Sequence, residues 1–365
     1  MTVLRTGVIG AGMIAQIEHI PNLLRLSDRY AVAGVCDPSP AARAFVTGTF
    51  GVPTVATVEE LLARPLDAVV VASPDALHLE HVLAAFARGL HVLCEKPLCY
   101  GSADIDRLMA ARDRAGRVGQ VAYMKRFDPA YEAALRLLPG GAEQLRYVSV
   151  EVNDPDAWPF VGHHRHRREA DVAPELIERV RALQREQVAS AVAAPLAGDL
   201  FTGFTAAYCS SLVHDVNAAH GLLDALAVPE GEVVGAQLFA GGDGGLGTVR
   251  LLDGRAVWSM VHLTVPRLAD YRERIALYFD DAMLELVFPS PWLNHQPTEL
   301  RLRRSDGLVL QTSETRSGFE EAYIRELEGF WSAVVEGTPV RTPFEQARRD
   351  QALLCALACC AAGAV

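Results

Sequence analysis

Near its start the chain has the sequence Arg5-Thr6-Gly7-Val8-Ile9-Gly10-Ala11-Gly12-Met13-Ile14-Ala15. A short apolar run ends at the first glycine of a G-x-G-x-x-A pattern, and a helical pattern follows it. The first glycine permits a tight turn, the second lets a diphosphate approach the backbone, and the small last residue lets helix and strand pack closely. The free amides at the helix N-terminus then face the diphosphate. We therefore predict dinucleotide contacts at Gly10, Gly12, Met13 and Ile14.

An acidic residue follows this pattern at the expected distance. Asp37 comes directly after the second predicted strand and 22 positions after Ala15. A carboxylate there accepts hydrogen bonds from the adenosine ribose hydroxyls and repels a 2′-phosphate, so it favours NAD over NADP. Two alternatives stay open: Asp37 caps the next helix, or Arg43 in that helix reaches the ribose and offsets the charge.

The first 122 residues alternate short apolar strands with helical segments, which is typical of βαβ units. Strands are predicted at residues 5–9, 31–36, 68–72, 91–94 and 118–122, and helices at residues 13–26, 76–88 and 103–115. Strands that are apolar throughout indicate a parallel sheet with helices on both faces. Residues 1–122 are thus predicted to form an α/β Rossmann domain, a doubly wound parallel sheet that binds NAD(P).

The pattern changes in residues 123–365 to strands with alternating polarity. Leucine and arginine alternate over residues 300–303, and Asp253-Gly254 and Asp306-Gly307 indicate hairpin turns between strands. A helix is predicted at residues 174–192. We predict a C-terminal α+β domain, built on an open, mostly antiparallel sheet, for substrate binding and oligomerisation.

Two segments of this half resemble anion sites. The run His163-His164-Arg165-His166-Arg167-Arg168 either binds a phosphate or diphosphate through its arginine forks or forms a solvated loop before a helix. We favour the solvated loop, because short charge runs usually face water. The glycines at positions 241, 242, 244 and 245 are interpreted as a mobile surface loop, because no helical pattern follows them.

Composition excludes several classes of protein. The chain has 365 residues, and 45 acidic against 34 basic residues give a net charge of −11. An acidic chain without a long basic run is not typical of nucleic-acid or anionic-membrane binders. No apolar stretch reaches the roughly 20 residues of a membrane span, and we see no secretory signal, so we expect a cytoplasmic protein. The seven cysteines lack CxxC spacing, which predicts reduced buried thiols and no metal.

Further motifs extend over nearly the whole chain. They are Ser73-Pro74-Asp75 with His78, Glu95-Lys96-Pro97, the segment from Tyr123 to Pro129, and His214-Asp215. With the N-terminal pattern they make the chain resemble the glucose-fructose oxidoreductase, inositol dehydrogenase and rhizopine catabolism (Gfo/Idh/MocA) family. The resemblance implies a Rossmann domain joined to a larger open-sheet domain, an active site between them and a homodimer or homotetramer. It also implies cofactor contacts at Ser73, Pro74, His78 and Glu95.

The resemblance makes Lys96 the first catalytic candidate. An ammonium beside an alcohol oxygen stabilises the negative charge that develops there during hydride transfer; the alternative is a surface ion pair with Glu95. His214 matches the general base of polyol-oxidising members, because a neutral imidazole can take a hydroxyl proton. The family often has a cis peptide at the position of Pro97.

One position departs from the family pattern. Ser210 stands four residues before His214, one helical turn away, where family dehydrogenases commonly carry Asp. A hydroxyl can orient the imidazole but cannot stabilise its charged form. Either another acid supplies that role, with Asp128 as one candidate, or the proton is moved differently. Tyr123 and Arg126 are expected to line the substrate pocket, with packing at the domain junction as the alternative for Arg126. His220 is interpreted as structural.

These motifs predict an NAD(P)-dependent oxidoreductase that interconverts a secondary alcohol and a ketone on a sugar, sugar nucleotide or cyclitol. The expected partners are such small molecules, with no nucleic acid and no membrane. Two alternatives stay open. One is redox-neutral glycoside cleavage through transient oxidation by tightly bound NAD. The other is an NAD-binding sensor without catalysis, in which Ser210 marks a lost active site.

Overall fold

A computed structural model describes residues 2–155, 157–167 and 171–363 of the chain. These residues form two compact units. The first unit comprises the chain up to Tyr123, the described part of His163–Ala191, and Tyr323–Arg349. The second unit comprises the described parts of Met124–Gly162, Val192–Ala322 and the chain from Asp350. The division differs from the predicted boundary at residue 122, because two later segments pack within the first unit.

The first unit is built on one parallel sheet of six strands in the order β3-β2-β1-β4-β5-β6. The strands are β1 (Leu4–Ile9), β2 (Tyr30–Cys36), β3 (Thr54–Val55), β4 (Ala68–Val71), β5 (His91–Cys94) and β6 (Gly119–Val121). The strand order reverses between β1 and β4, as in doubly wound dinucleotide-binding sheets. The predicted Rossmann sheet is confirmed; only the two-residue strand β3 was not predicted.

Helices alternate with the strands or follow them in the sequence. The α-helices are α1 (Ile20–Arg25), α2 (Pro40–Phe50), α3 (Val58–Leu62), α4 (His78–Ala87), α5 (Ser102–Ala115), α6 (Pro129–Leu137), α7 (Trp158–Val161), α8 (Pro174–Ala191), α9 (Asp199–Thr202), α10 (Val213–Ala225), α11 (Ala322–Val335) and α12 (Phe344–Ala361). Two segments, Ala15–His19 and Gly203–Leu212, are π-helical and lead into α1 and α10. The first lies within the helix predicted at residues 13–26, whereas no helix was predicted over the whole of the second.

The late helix α11 completes the core of the first unit. Its side chains Leu327, Phe330 and Trp331 are at most 6% exposed and belong to the same apolar cluster as Val8 and Val70 of the sheet. Burying each such side chain stabilises the fold by about 1.5–3 kcal/mol. A strand-by-strand interpretation of residues 1–122 misses this helix, because the contact joins segments far apart in sequence.

The second unit is built on an eight-stranded sheet in the order β14-β13-β12-β11-β7-β10-β9-β8. The strands are β7 (Leu145–Asn153), β8 (Glu232–Leu238), β9 (Gly244–Leu251), β10 (Ala256–Leu263), β11 (Arg272–Phe279), β12 (Ala282–Phe288), β13 (Glu299–Ser305) and β14 (Leu310–Thr315). Only β7 and β10 pair in parallel among these strands. The predicted open, mostly antiparallel sheet is confirmed, and hairpin turns at Asp253-Gly254 and Gly307 have the positive φ angles predicted for them.

The glycine-rich segment before β10 differs from its prediction. Gly244 and Gly245 belong to strand β9 and are buried rather than part of a surface loop. A Cβ atom on Gly244 would lie 2.0 Å from the carbonyl oxygen of His262, and its φ is +140°. The two glycines allow a close approach of strands, which is a common reason for glycine inside a sheet.

Helix α10 packs in the second unit through a buried polar group. His220 Nδ1 lies 2.6 Å from Asp350 Oδ1, and Asn217 donates a 2.7 Å hydrogen bond to the other oxygen of Asp350. The His220 ring also meets Trp258 edge-on at 5.1 Å between centroids. His220 therefore has a structural environment.

All seven cysteines are free thiols, and four of them are buried. Burial raises the pKa of Cys36 to about 12. No helix in the described parts of the chain has the length and apolar character required to cross a membrane.

Candidate active site

The turn after β1 forms an open cradle. Gly10 has a φ of +99°, and a Cβ atom there would lie 2.4 Å from the carbonyl oxygen of Ala72. At Gly12, by contrast, a Cβ atom would meet no heavy atom within 4 Å. Met13 and Ile14 follow in the first helical turn. The turn thus requires glycine at position 10 for its own geometry, and at position 12 it leaves space for an outside group such as a diphosphate.

Asp37 connects this turn with the loop after β2. Its carboxylate accepts hydrogen bonds from the backbone amides of Ala11 at 2.7 Å and Ser39 at 2.8 Å. Burial raises the pKa of Asp37, although these two bonds oppose the shift. The proposed helix-cap alternative is wrong, because Ser39 caps α2 by accepting a bond from Ala42. Arg43 donates to the backbone carbonyls of Asp37 and Pro38 instead of extending toward a ligand.

We expect Gly12→Ala to weaken cofactor binding and Gly10→Ala to destabilise the fold. Gly12→Ala should leave the melting temperature unchanged, because its Cβ meets nothing, and should weaken NADH binding about tenfold or more by filling the cradle. Gly10→Ala should destabilise the fold, since its Cβ would overlap a backbone carbonyl. Thermal melts and fluorescence titration with NADH measure the two effects. Unchanged NADH affinity in Gly12→Ala would show that the cradle does not hold the dinucleotide.

Two residues predicted to contact the cofactor have other partners. His78 is 1% exposed, and its ring nitrogens lie 2.8 Å from the carbonyl oxygen of Pro97 and 2.9 Å from that of Ser73. His78 thereby connects the loops after β4 and β5, and its direct contact with the cofactor stays a prediction. Ser73 and Pro74 remain accessible at the carboxyl end of β4, with Ser73 Oγ 2.8 Å from His81.

Glu95 is the second of these residues. Its carboxylate is buried and lies 2.7 Å from His19 Nε2, while its other oxygen accepts the Lys96 backbone amide at 3.2 Å. Burial opposes ionisation, but the His19 hydrogen bond and charge outweigh it and lower the pKa of Glu95. Glu95 therefore fixes the backbone beside Lys96, and its contact with the cofactor stays a prediction.

Lys96 stands two residues beyond β5 and is half-buried. The peptide between Lys96 and Pro97 is cis. Gly10 directly follows β1, Asp37 directly follows β2 and Lys96 comes two residues after β5, so all three lie at the carboxyl edge of one parallel sheet. Open α/β sheets bind ligands at this edge, near the point where the strand order reverses.

The second unit places His214 at the start of α10, where it is half-buried, and Ser210 on the exposed side of the preceding π-helix. The predicted α-helical turn between them is wrong, because π-helical bonding continues to Leu212. Single π-helical turns often occur at functional sites. Ser210 and His214 remain candidates on this segment.

Asp128 does not supply the missing acid. One carboxylate oxygen accepts the amides of Ala130 at 2.7 Å and Tyr131 at 3.3 Å at the N-terminus of α6. The other oxygen accepts a 2.7 Å hydrogen bond from Thr298. Asp128 is therefore a helix cap, and the suggestion that it serves His214 is corrected.

Arg126 and Tyr123 are placed in packed surroundings. Arg126 donates to the carbonyl and side-chain oxygens of Asn217 at 3.3 Å and lies 5.4 Å above the Tyr131 ring. Tyr123 is 1% exposed. The contacts of Arg126 within the second unit thus agree with the alternative that it has a packing role.

A buried ionic cluster next to His214 was not predicted. The Lys125 Nζ lies 2.7 Å from Asp215 and 2.6 Å from Glu273, and these side chains are at most 3% exposed. Burial lowers the pKa of Lys125, but the two carboxylates outweigh it and raise that pKa. Burial raises the pKa of Asp215, and the charge of Glu273 adds to the effect. Burial and the Lys125 charge lower the pKa of nearby His262 to about 4.

The rarity of lysine in this sequence is a signal that could have drawn attention to Lys125. The chain has 34 Lys and Arg residues, and only Lys96 and Lys125 are lysine. The other 32 basic residues are arginine, so the two lysines are exceptions, and both lie in motif segments. Lysine is a compact point charge and is not interchangeable with the planar arginine fork.

The His/Arg run lies in the first unit up to Arg167; Arg168 is outside the described residues. Gln16 donates to the Arg167 carbonyl at 3.0 Å and accepts from its amide at 2.8 Å. Beyond the run, Asp171 Oδ1 accepts a bond from Ser39 Oγ at 2.5 Å, and Oδ2 accepts one from the Ala41 amide at 2.8 Å. This segment is anchored near the cradle.

A sequence model described as an oxidoreductase family with an NAD-binding Rossmann fold (GFO_IDH_MocA) matches residues 4–123. Residues 4–123 thus match the NAD-binding domain of that family. Inositol 2-dehydrogenase 3 of Saccharopolyspora erythraea is 34% identical over 193 residues, 52% of this chain and 56% of that protein. The inositol 2-dehydrogenase of Streptomyces avermitilis is 41% identical over 141 residues, 38% of this chain and 41% of that protein. The chain thus spans about half the length of the curated Gfo/Idh/MocA relatives it matches.

Solved structures share the fold beyond the matched domain. UDP-N-acetylglucosamine 3-dehydrogenase GnnA from Acidithiobacillus ferrooxidans has a TM-score of 0.71 at 20% identity, covering 100% of this chain and 99% of that one. KijD10, a 3-ketoreductase from Actinomadura kijaniata solved with NADP and TDP-benzene, has a TM-score of 0.72 at 19% identity, covering 97% and 96%. These similarities support a shared fold over nearly the whole chain.

Proposed function

We propose that the protein is an NAD(P)-dependent oxidoreductase that interconverts a secondary alcohol and a ketone on a sugar, sugar nucleotide or cyclitol. The observation that carries the proposal is the carboxyl edge of the first-unit sheet. There the open cradle at Gly12, the ribose-side carboxylate of Asp37 and the amine of Lys96 follow three strands of one sheet. Relatives named inositol 2-dehydrogenase support the cyclitol class, and the structural neighbours support sugar nucleotides.

The residues present fit a nicotinamide dinucleotide. The free space at Gly12 accommodates a diphosphate, the helix that begins at Met13 offers amides, and Asp37 offers acceptors to ribose hydroxyls. When bound, the nicotinamide accepts or returns the hydride. Because Asp37 is an anion at the ribose position, we propose NAD as the preferred cofactor.

Two side chains act on the reacting alcohol in this proposal. The Lys96 ammonium orients the alcohol oxygen and stabilises its negative charge, which is the electrostatic task of such a group. His214 takes the hydroxyl proton and returns it in the reverse direction. Ser210, exposed on the π-helix, is proposed as a substrate contact, and Tyr123 and Arg126 are proposed as further residues for substrate binding.

We further propose a cytoplasmic homodimer or homotetramer. The free state of all seven cysteines is typical of a reducing compartment. One face of the second-unit sheet carries polar side chains, among them an ionic group in which Arg274 contacts Glu151 and Glu285. Light scattering at micromolar concentration should give a dimer or tetramer; a monomer would contradict this proposal.

Turnover with a substrate panel tests the function. The purified protein should reduce NAD⁺ with at least one inositol, hexose, sugar phosphate or UDP-sugar, followed by the near-ultraviolet absorbance of NADH. Cofactor that copurifies, with glycoside cleavage but no net NADH, would instead indicate transient oxidation. NAD binding by calorimetry without turnover of any panel member would indicate a sensor.

A further inference from the structure

A carboxylate from a distant segment lies at the N-terminus of α2. Asp171 accepts one hydrogen bond from the Ser39 hydroxyl and one from the Ala41 amide, across 132 and 130 positions of sequence. These two bonds lower the pKa of Asp171, so the group is an anion at neutral pH. Like Ser39 and Ala41, it belongs to the first unit.

Asp171 stands beside the ribose-side acid of the cradle. Ser39 bonds to both carboxylates: its backbone amide donates to Asp37 at 2.8 Å and its hydroxyl donates to Asp171 at 2.5 Å. The negative charge of Asp171 contributes to the raised pKa of Asp37, after the larger effect of burial. Two anions thus share one turn at the end of β2.

The donors of this turn are the groups that would hold an additional phosphate on the adenosine ribose. A hydroxyl, a helix N-terminal amide and an arginine fork are suited to bind phosphate oxygens. Here Asp171 occupies the Ser39 hydroxyl and the Ala41 amide, and Arg43 donates to the carbonyls of Asp37 and Pro38. The turn therefore has hydrogen-bond donors that suit a phosphate, and the Asp171 carboxylate accepts from two of them.

We propose that Asp171 is a specificity-determining residue that takes the place of a 2′-phosphate and thereby excludes NADP. The proposal rests on the proposed function, and it adds to the preference that Asp37 provides. A 2′-phosphate would bring negative charge to a turn with two carboxyl groups, where Asp171 already uses the Ser39 hydroxyl and the Ala41 amide, so repulsion and lost hydrogen bonds act together. The 2′-hydroxyl of NAD is neutral and can donate a hydrogen bond to either acid. Specificity thus comes from rejection of the wrong ligand as well as from recognition of the right one.

The test compares NADH and NADPH affinities of the full-length protein by fluorescence titration and calorimetry. Asp171→Asn removes the charge and keeps a side chain that can bond to Ser39 and Ala41, whereas Asp171→Ala removes both. We expect both variants to bind NADPH about tenfold more tightly, a change of about 1.4 kcal/mol, with NADH affinity within about threefold. The matched control is Glu186→Gln, which removes an exposed carboxylate from α8 and should change neither affinity.

The outcomes distinguish a failure of the Asp171 inference from a failure of the proposed function. If the wild type binds NADH and the Asp171 variants keep its NADPH-to-NADH affinity ratio, Asp37 alone sets specificity and this inference is wrong. If Asp171→Ala weakens both nucleotides in parallel while Asp171→Asn does not, the residue is a structural anchor, and the inference is also wrong. A wild type that prefers NADPH overturns the inference and the NAD preference together. A wild type that binds neither nucleotide overturns the proposed function itself.

Discussion

Replacing Lys96 by alanine is expected to lower kcat for the identified substrate about 10²–10³-fold while NADH affinity changes little. Lys96 follows β5, and no heavy atom lies within 4 Å of a Cβ at Gly12, so we expect the amine to act on the reacting oxygen more than on the dinucleotide. Removal of a preorganised charge that acts on a developing oxyanion affects the transition state more than the ground state. We therefore expect kcat and kcat/KM to fall together, which steady-state kinetics and an NADH titration on the same sample will measure.

The low lysine content sharpens this experiment. Apart from the chain's terminal amine, only Lys96 and Lys125 can react with an amine reagent, and Lys125 is 2% exposed in an ion-paired cluster. Labelling followed by mass spectrometry should therefore modify Lys96 first, and loss of turnover should parallel its modification. Lys96→Arg is the charge-preserving control; it should also be impaired, because a planar fork does not reproduce a compact ammonium. If Lys96→Ala retains most of kcat/KM, the assignment of Lys96 is wrong.

The fold was predictable where the signal is local. Apolar strands, the glycine pattern after β1 and the Asp-Gly turns each depend on a few adjacent residues, and the structure has them where predicted. The attachment of α11 and of residues 163–167 and 171–191 to the first unit was not predictable, because it depends on contacts with segments more than a hundred positions away. The π-helical segments were missed since their residues have no distinct periodicity.

The site was predictable as a set of positions and not as a set of contacts. Motif spacing identifies Lys96 and Asp37 after the strands that carry them. It does not show that His78 and Glu95 have hydrogen-bond partners within the chain, because those partners come from other loops and helices. For the same reason the sequence did not point to Asp171, because its proposed role depends on a contact with Ser39, which is distant in sequence.

Lys125→Met is expected to destabilise the protein by about 3–5 kcal/mol at neutral pH, because it leaves two buried carboxylates without their cation. Asp215 and Glu273 lie within 2.7 Å of the Lys125 amine and are at most 3% exposed, so solvent cannot compensate for its loss. Urea denaturation of wild type and variant measures the difference in the free energy of unfolding. Arg146→Met is the matched control, since its ion pair with Asp280 is about half exposed and should contribute at most about 1 kcal/mol.

The pH dependence distinguishes an unpaired charge from simple loss of packing. Burial holds the folded pKa of Asp215 above its unfolded value of 3.8, and loss of Lys125 removes the group that opposes this shift. A carboxyl with a raised folded pKa contributes stability below its unfolded pKa and loses that contribution as pH rises through the folded pKa. The gap between wild type and Lys125→Met should therefore be smaller at about pH 5 than at about pH 8. Adding Asp215→Asn to the variant should restore part of the loss, because one buried anion is removed. A gap that is the same at both pH values, and that Asp215→Asn does not reduce, would mean that Lys125 stabilises the second unit through packing alone.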